Sequence, residues 1–441
     1  MKRNYLFLVV VVALILGTAW ASPDKKPEEF IFGDFLPDAP VLAKRGDYRV
    51  GVRTISLVNK NQLDVLNYKD GVAATYDRPI TVEVWYPAIV SSAKKEIQVY
   101  HEVLGNFGDT IRPLIPFEFK GRCKRKAKVN SSDGPYPLLI LSHGYTGSRY
   151  IFTYLAENLA SKGYVVVSID HTESTFRDAA NFSSTLLNRS LDQLFVLNEM
   201  DRLSQPESGS FLSGLVDANN TGLIGYSMGG YGVLNTAGAG YSKNAAFMFS
   251  RMSGGCDALN GRMAGNEDYI NSQDKRIKAV VAFAPWGMTI GVWDSTGLAG
   301  LTKPVFFVAG SQDDISGYEK GTKAIFEGVV NSNRYLLTYM NARHNVAPNP
   351  PPEEALKEGL HIDEYLRYAD SVWDQRRINN INQHFVSAFL GIHLKGKDYQ
   401  NFFQVDENSK EKILNGFKPR TFVGLQLEHL KKKDYTKNIS K

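Results

Sequence analysis

The segment Gly222–Gly232 reads GLIGYSMGGYG, an apolar run that ends by setting a hydroxyl, Ser227, between Gly225 and Gly229. A serine hydroxyl becomes a useful nucleophile only when a neighbouring base takes its proton, and that base needs an orienting group of its own. Two later segments offer both: PVFFVAGSQDD closes on Asp313 and Asp314, and RYLLTYMNARH closes on His344. The chain order Ser, Asp, His is that of a G-x-S-x-G elbow whose partners follow on later strands. Asp313 is favoured over Asp314 as the orienting acid, because Ile315 has the character of an apolar residue that tucks back two positions after it. Asp314 is then a solvated or capping neighbour. Of the remaining histidines, His101, His361, His384, His393 and His429 fall in insertions, loops or the terminal segment, with His361 the strongest competitor for the base. His143 and His171 stand at strand ends and read as buried hydrogen-bonding groups.

Attack on a carbonyl also needs donors for the developing oxyanion. The backbone N–H of Met228, directly after the nucleophile, supplies one. The loop in PLLILSHGYTGSR supplies the other through Tyr145. Tyr145, Tyr226, Trp286 and Trp293 argue an apolar acyl pocket, although core packing accounts for any one of them equally well. This chemistry is complete without a metal or an organic cofactor, and neither cysteine has metal-ligand spacing.

Elements must hold these groups together. Eight strand-like segments start at Tyr48, Ile80, Pro137, Tyr164, Thr221, Ile277, Pro304 and Arg334, and the last six carry near-continuous apolar runs. Such runs suit strands covered on both faces of a parallel sheet. Segments of helical period alternate with them: RYIFTYLAENLASKG, RSLDQLFVLNEMDRL, GGYGVLNTAGAG and YEKGTKAIFEGVV. The alternation predicts an α/β class with a mostly parallel, doubly wound eight-stranded sheet, an antiparallel edge formed by the first two strands, and surface insertions. The insertions fall at 90–134, with the basic run KGRCKRKAK, and at 241–274. A terminal amphipathic helix is expected over 365–394. One domain is expected over 48–441, after an extended lead-in at 22–47.

The first residues, MKRNYLFLVVVVALILGTAWAS, combine a basic start, an apolar run and a small-x-small site. The small-x-small site and the short run favour a cleavable signal peptide over 1–21, cut after Ala21, above an uncleaved membrane anchor, and imply a secreted or periplasmic protein. Export favours a disulfide between Cys123 and Cys256 over two separate thiols. The formal charge is +5, of which Lys2 and Arg3 carry two, leaving +3 on the processed chain. So weak a balance gives no support to nucleic-acid binding. The basic run reads as a solvated loop first, and second as a surface for transient contact with an anionic membrane or polymer. Oligomeric state is not legible.

The motifs YRVGVRTISL, VEVWYPA, PLLILSHGYTGSR, LASKGYVVVSIDHTEST, GLIGYSMGGYG, RIKAVVAFAPWG and FVAGSQDD resemble the α/β-hydrolase superfamily. Within it, they resemble the platelet-activating-factor acetylhydrolases and predicted dienelactone hydrolases. Dienelactone hydrolases proper use a cysteine nucleophile where Ser227 stands here. GYT at Tyr145, Ser227-Met228 and Trp286 are also similar to cutinase-like polyester hydrolases, in which the equivalents of Tyr145 and Trp286 flank the acyl group. Those enzymes are compact and lack the two insertions. The resemblance implies a secreted serine hydrolase of carboxylic esters, acting on a small-molecule, short-acyl or lipid ester through an acyl-enzyme. Alternatives are a polyester hydrolase, an amidase or peptidase with the same triad, and a catalytically silent binding protein on the same fold.

Overall fold

The structure, a computed structural model, describes residues 31–69, 71–91, 96–106, 108–109, 111–404 and 413–433. The expected signal peptide lies outside the described residues, as do residues 22–30 of the lead-in. Phe32 onward forms one compact unit.

All eight expected strands are present: β1 (Arg49–Leu63), β2 (Thr75–Ile89), β7 (Tyr136–Ser142), β8 (Val165–Asp170), β9 (Val216–Tyr226), β10 (Ile277–Phe283), β11 (Val305–Gly310) and β12 (Arg334–Tyr339). The sheet runs β12-β11-β10-β9-β7-β8-β2-β1. The six strands from β8 to β12 pair in parallel, and β1 and β2 form the antiparallel edge. Three short strands extend the sheet to eleven: β5 (Lys124–Arg125), β6 (Lys128–Val129) and β13 (Leu425–Leu430). The 90–134 insertion also forms a separate antiparallel pair, β3 (Gln98–Leu104) with β4 (Ile115–Gly121).

Helices cover both faces. On one lie α2 (Phe182–Ser204) and α3 (Met228–Thr236), and on the other α1 (Thr153–Ser161) and α9 (Gln375–Lys395). The two apolar layers they build are why β11 and β12 are buried along their whole length. The layers also decide the cysteines. Cys123 sits in one layer and Cys256 in the other, and both are free thiols. The expected disulfide is not formed, because the sheet stands between its partners.

The 241–274 insertion folds as α4 (Lys243–Met252), capped by the Ser242 hydroxyl, and α5 (Glu267–Asn271). Three short helices complete the set: α6 (Ser295–Ala299), α7 (Ala324–Gly328) and α8 (Ile362–Leu366). The terminal helix is shorter than expected at its start. Asp370 Oδ1 accepts from the N–H groups of Val372 and Trp373, and Asp374 then caps the first turn at Arg376 and Arg377. The side chains of two aspartates thus outcompete helical bonding between Ala369 and Asp374. Nor is the basic run a free loop. Arg122 pairs with Asp34 and Arg125 with the buried Glu83, while Lys124, Lys126 and Lys128 face solvent.

The β3–β4 pair packs its inward aromatics beside the loop that follows β7. The Tyr100 ring lies 5.1 Å from Phe119 and 5.2 Å from Tyr150, and Phe117 meets Tyr368 at 6.1 Å. An Arg112–Glu364 ion pair joins the turn of this hairpin to α8. The insertion and the segment after α8 therefore stand together above the carboxyl ends of the parallel strands. No helix among the described residues is long and apolar enough to cross a membrane.

Candidate active site

Strand β9 delivers Ser227 into a sharp turn with φ 53° and ψ −112°, and α3 begins at the next residue. A non-glycine residue with positive φ is a strained position that surrounding structure must hold. The holding contacts are backbone bonds: Ser227 N–H donates to the Phe283 carbonyl at 2.9 Å, and its own carbonyl accepts from Tyr231 and Trp286 at 3.0 and 3.1 Å. The flanking glycines are needed for space. A Cβ on Gly225 would lie 2.2 Å from the Gly229 carbonyl oxygen, and one on Gly229 would lie 1.9 Å from that of Ser142.

His344 follows β12 and Asp313 follows β11, and their side chains meet Ser227. Nε2 of His344 is 2.9 Å from Ser227 Oγ, and Nδ1 is 3.0 Å from both carboxylate oxygens of Asp313. A carboxylate only accepts, so Nδ1 carries the proton and Nε2 is left to accept from the serine hydroxyl. All three side chains are buried. Burial by itself raises the Asp313 pKa. The imidazole of His344 and the N–H groups of Ser316 and Ile315 outweigh it and hold the carboxyl below its ordinary value.

Asp314 lies on the same cleft but is exposed and ion-paired with Arg343, with no bond to His344. Ile315, expected to tuck back, is 57% exposed. What distinguishes Asp313 is its backbone cradle: Oδ1 accepts from Ile315 N–H at 3.0 Å and Ser316 N–H at 2.9 Å. His361 is exposed and caps α8 through Asp363 N–H, with no bond to Ser227.

Tyr145 lines the same cleft as Ser227 and His344. Its hydroxyl donates to the Ala180 carbonyl at 3.1 Å, and its carbonyl accepts from Arg367 Nη1 at 3.1 Å. Met228 opens α3, where the first-turn N–H groups have no partner inside the helix. Trp286 packs on Phe182 at 5.2 Å, and Phe182 in turn on Tyr145 at 5.2 Å. Trp286 thus backs the wall that Tyr145 presents, and its side chain is not among the cleft-lining groups. Trp293 is buried, its Nε1 bonded to Asn235. The Tyr226 hydroxyl bonds Asn345, and its ring lies 5.2 Å from that of His344. The cleft measures about 370 Å³.

Behind the site lies a buried polar network that sequence reasoning missed. Arg78 makes two bonds to Asp192, at 2.8 and 3.0 Å. Asp192 accepts from His171 Nδ1 at 2.9 Å, and His171 Nε2 meets Ser142 Oγ at 2.8 Å. Burial, reinforced by the charge of Arg189, pushes His171 down to about 3, so it stays neutral. His143 is also neutral: burial holds it well below its ordinary value, Nδ1 donates to the Gly144 carbonyl at 2.6 Å, and Nε2 accepts from His171 N–H. A signal for this network exists in the chain. Arg189, Asp192 and Gln193 sit on the inward face of α2, where apolar residues are the rule. Among the described residues no group of three or more His, Cys, Asp or Glu side chains gathers as metal ligands.

Strand order, elbow and helices on both faces define an α/β-hydrolase fold. A solved ferulic acid esterase from Streptomyces cinnamoneus shares it, with a TM-score of 0.52 at 20% identity over 79% of this chain and 91% of that one. A family model described as PETase, PET hydrolase-like, matches residues 128–254. The chain is also similar to Cutinase est1 of Thermobifida alba, at 22% identity over 48% of this chain and 55% of that protein. A bis(hydroxyethyl) terephthalate hydrolase of Streptomyces coelicolor is 30% identical over 27% of this chain and 34% of its own length. The resemblance to cutinase-like polyester hydrolases is therefore real, and the chain spans about half the length of the first of these relatives.

Proposed function

We propose that this chain is an exported carboxylic ester hydrolase with Ser227 as nucleophile, His344 as general base and acid, and Asp313 as the group that orients it. The observation that carries the reading is the continuous chain of bonds from Asp313 through both ring nitrogens of His344 to Ser227 Oγ. His344 takes the hydroxyl proton as Oγ attacks the ester carbonyl. It returns that proton to the departing alcohol, leaving an acyl-enzyme. Water activated by the same imidazole then releases the acid. The N–H groups of Tyr145 and Met228 hold the oxyanion, each lowering the barrier by about 2.7–4 kcal/mol by analogy with measured cases.

Substrates in this reading are small or short-acyl esters, lipid esters among them, with the acyl group resting against Tyr145 and its Phe182–Trp286 backing. The cutinase and terephthalate-ester hydrolase similarities favour a second substrate class, polyesters. Export rests on the character of Met1–Ala21. A fluorophosphonate probe tests the reading: the folded protein forms one covalent adduct, on Ser227, and loses aryl-ester hydrolysis in step with labelling. Folded protein that takes up no probe is instead a silent scaffold, and labelled protein that cleaves peptides but no ester is an amidase.

A further inference from the structure

A second cavity, of about 170 Å³, adjoins the ester cleft. The two share Arg367, and their walls continue from Tyr145 in the cleft to the next residue, Thr146, in the cavity. The cavity's far wall comes from β3 and from Phe176 and Arg177, so the insertion helps build it. Only part of its lining falls within the 128–254 segment matched by the PET hydrolase-like family.

Three arginines face this cavity, and two are neutralised. Arg149 pairs with Asp170, and Arg177 lies 3.4 Å from Glu102. Arg367 has no carboxylate within 4 Å among the described residues. Its guanidinium stands 5.0 Å over the Phe176 ring, and Nη1 donates to the Tyr145 carbonyl. A guanidinium carries five N–H donors in a fixed fork, and among the described residues this one makes a single hydrogen bond, to the Tyr145 carbonyl. Thr146, which also lines the cavity, is fully buried, and its Oγ1 has no hydrogen-bond partner among the described residues. A buried hydroxyl left unpaired costs about 1–3 kcal/mol, so such a group calls for a partner.

We infer that this cavity binds a carboxylate carried by the substrate, held by the free fork of Arg367 and the hydroxyl of Thr146. The inference rests on the ester-hydrolase reading and narrows its substrate class. Preferred substrates are esters with a free carboxylate a short spacer away from the scissile bond, such as hemi-esters of dicarboxylic acids. Their carboxylate enters the cavity while the ester carbonyl lies at Ser227. Arg367 acts here in specificity, away from the reacting atoms.

The test compares monoethyl and diethyl esters of succinic, adipic and suberic acid, with acid release followed by pH-stat and rates counted per ester bond. The wild type should favour at least one monoester over its diester by tenfold or more in kcat/KM, with the difference carried in KM. Arg367→Gln should bring that ratio close to one, and Thr146→Val should lower it severalfold while the arginine remains. The ratio is the readout because Arg367 also holds the Tyr145 carbonyl, so absolute rates can fall on both esters. A wild-type ratio near one, or a ratio indifferent to both substitutions, overturns the inference. Hydrolysis of diesters alone overturns it and leaves the ester-hydrolase reading standing. Folded protein that hydrolyses neither member of any pair sinks both.

Discussion

Arg189 Nη1 donates to the carbonyl oxygen of His143 at 2.6 Å, so a buried cation on α2 holds the loop two residues ahead of Tyr145. Its other terminal nitrogen bonds Ser174 Oγ. Burial drags its pKa down to about 9 despite the nearby Asp192, which shows how enclosed the group is. The loop before Tyr145 and the turn at Ser227 are thus braced from the core, the first by Arg189 and the second by the close glycine contacts.

Arg189 is a positioning residue in this account. Arg189→Met should lower kcat on the order of 10²-fold, the scale of a misplacement of about 1 Å in a catalytic group, with KM nearly unchanged. Arg189→Lys should recover part of the loss. Steady-state kinetics on an aryl ester, with circular dichroism to establish folding, checks this. A purely structural role would lower Tm and leave kcat of the folded fraction intact.

Gly229 allows the elbow to approach β7. Gly229→Ala places a methyl 1.9 Å from the Ser142 carbonyl oxygen, backbone that cannot step aside. The expected cost is at least the roughly 1–3 kcal/mol of an overpacked core, with loss of activity, because relieving the clash moves Ser227. Urea unfolding and ester hydrolysis on the same preparation measure both.

The two adjacent aspartates separate cleanly. Asp313→Asn keeps the shape and removes the acceptor that fixes the imidazole tautomer, and kcat should fall on the order of 10⁴-fold. Asp314→Asn breaks only an exposed pair with Arg343 and should cost less than tenfold. The reverse ranking would assign the acid to Asp314.

Lys162 makes stability depend on pH. Its Nζ lies within hydrogen-bond distance of the Asn158 amide oxygen at 2.6 Å, the Ser387 hydroxyl at 2.7 Å and the Leu42 carbonyl, none of which carries a charge to hold a proton there. Burial first, and the charge of Arg45 second, lower its pKa from 10.5 to about 7. Between those values the unfolded chain holds the proton and the folded chain has shed it, so stability falls as pH drops from 10.5 towards 7. Lys395 adds in the same direction, lowered to about 8 by burial. The stability of the wild type relative to Lys162→Met should therefore improve from pH 7 to 9.5, by up to about 1.4 kcal/mol per pH unit. A difference flat with pH would contradict this.

Much of the fold was legible because the parallel strands are buried on both faces, and continuous apolar runs as short as VVVSID and VFFVAG suit a strand in that setting better than a helix or a loop. The elbow was legible for a steric reason: glycines at 225 and 229 leave room for a backbone approach that nothing larger allows. Other parts were hidden by physics that acts at a distance. Strands β5, β6 and β13 are short, half-exposed edges, set by what they pair with more than by propensity. The start of α9 depends on competition from Asp370 and Asp374. Asp313 does meet the imidazole, yet the reason that favoured it fails, since Ile315 faces outward and the backbone cradle sets the carboxylate instead. The Arg78–Asp192–His171–Ser142 network links residues up to 114 positions apart, so the polar residues on the inward face of α2 signal that a buried network exists while its partners are set only when helix and sheet pack.

If Ser227 and His344 act as one unit, a double-mutant comparison shows it. The quantity is kcat/KM for 4-nitrophenyl butyrate in the wild type, Ser227→Ala, His344→Ala and the double variant. Each single substitution should lose on the order of 10⁴–10⁶-fold, and the double should lose no more than the worse single. Retention of a tenth or more of the activity in Ser227→Ala, or losses that multiply in the double variant, would contradict the account.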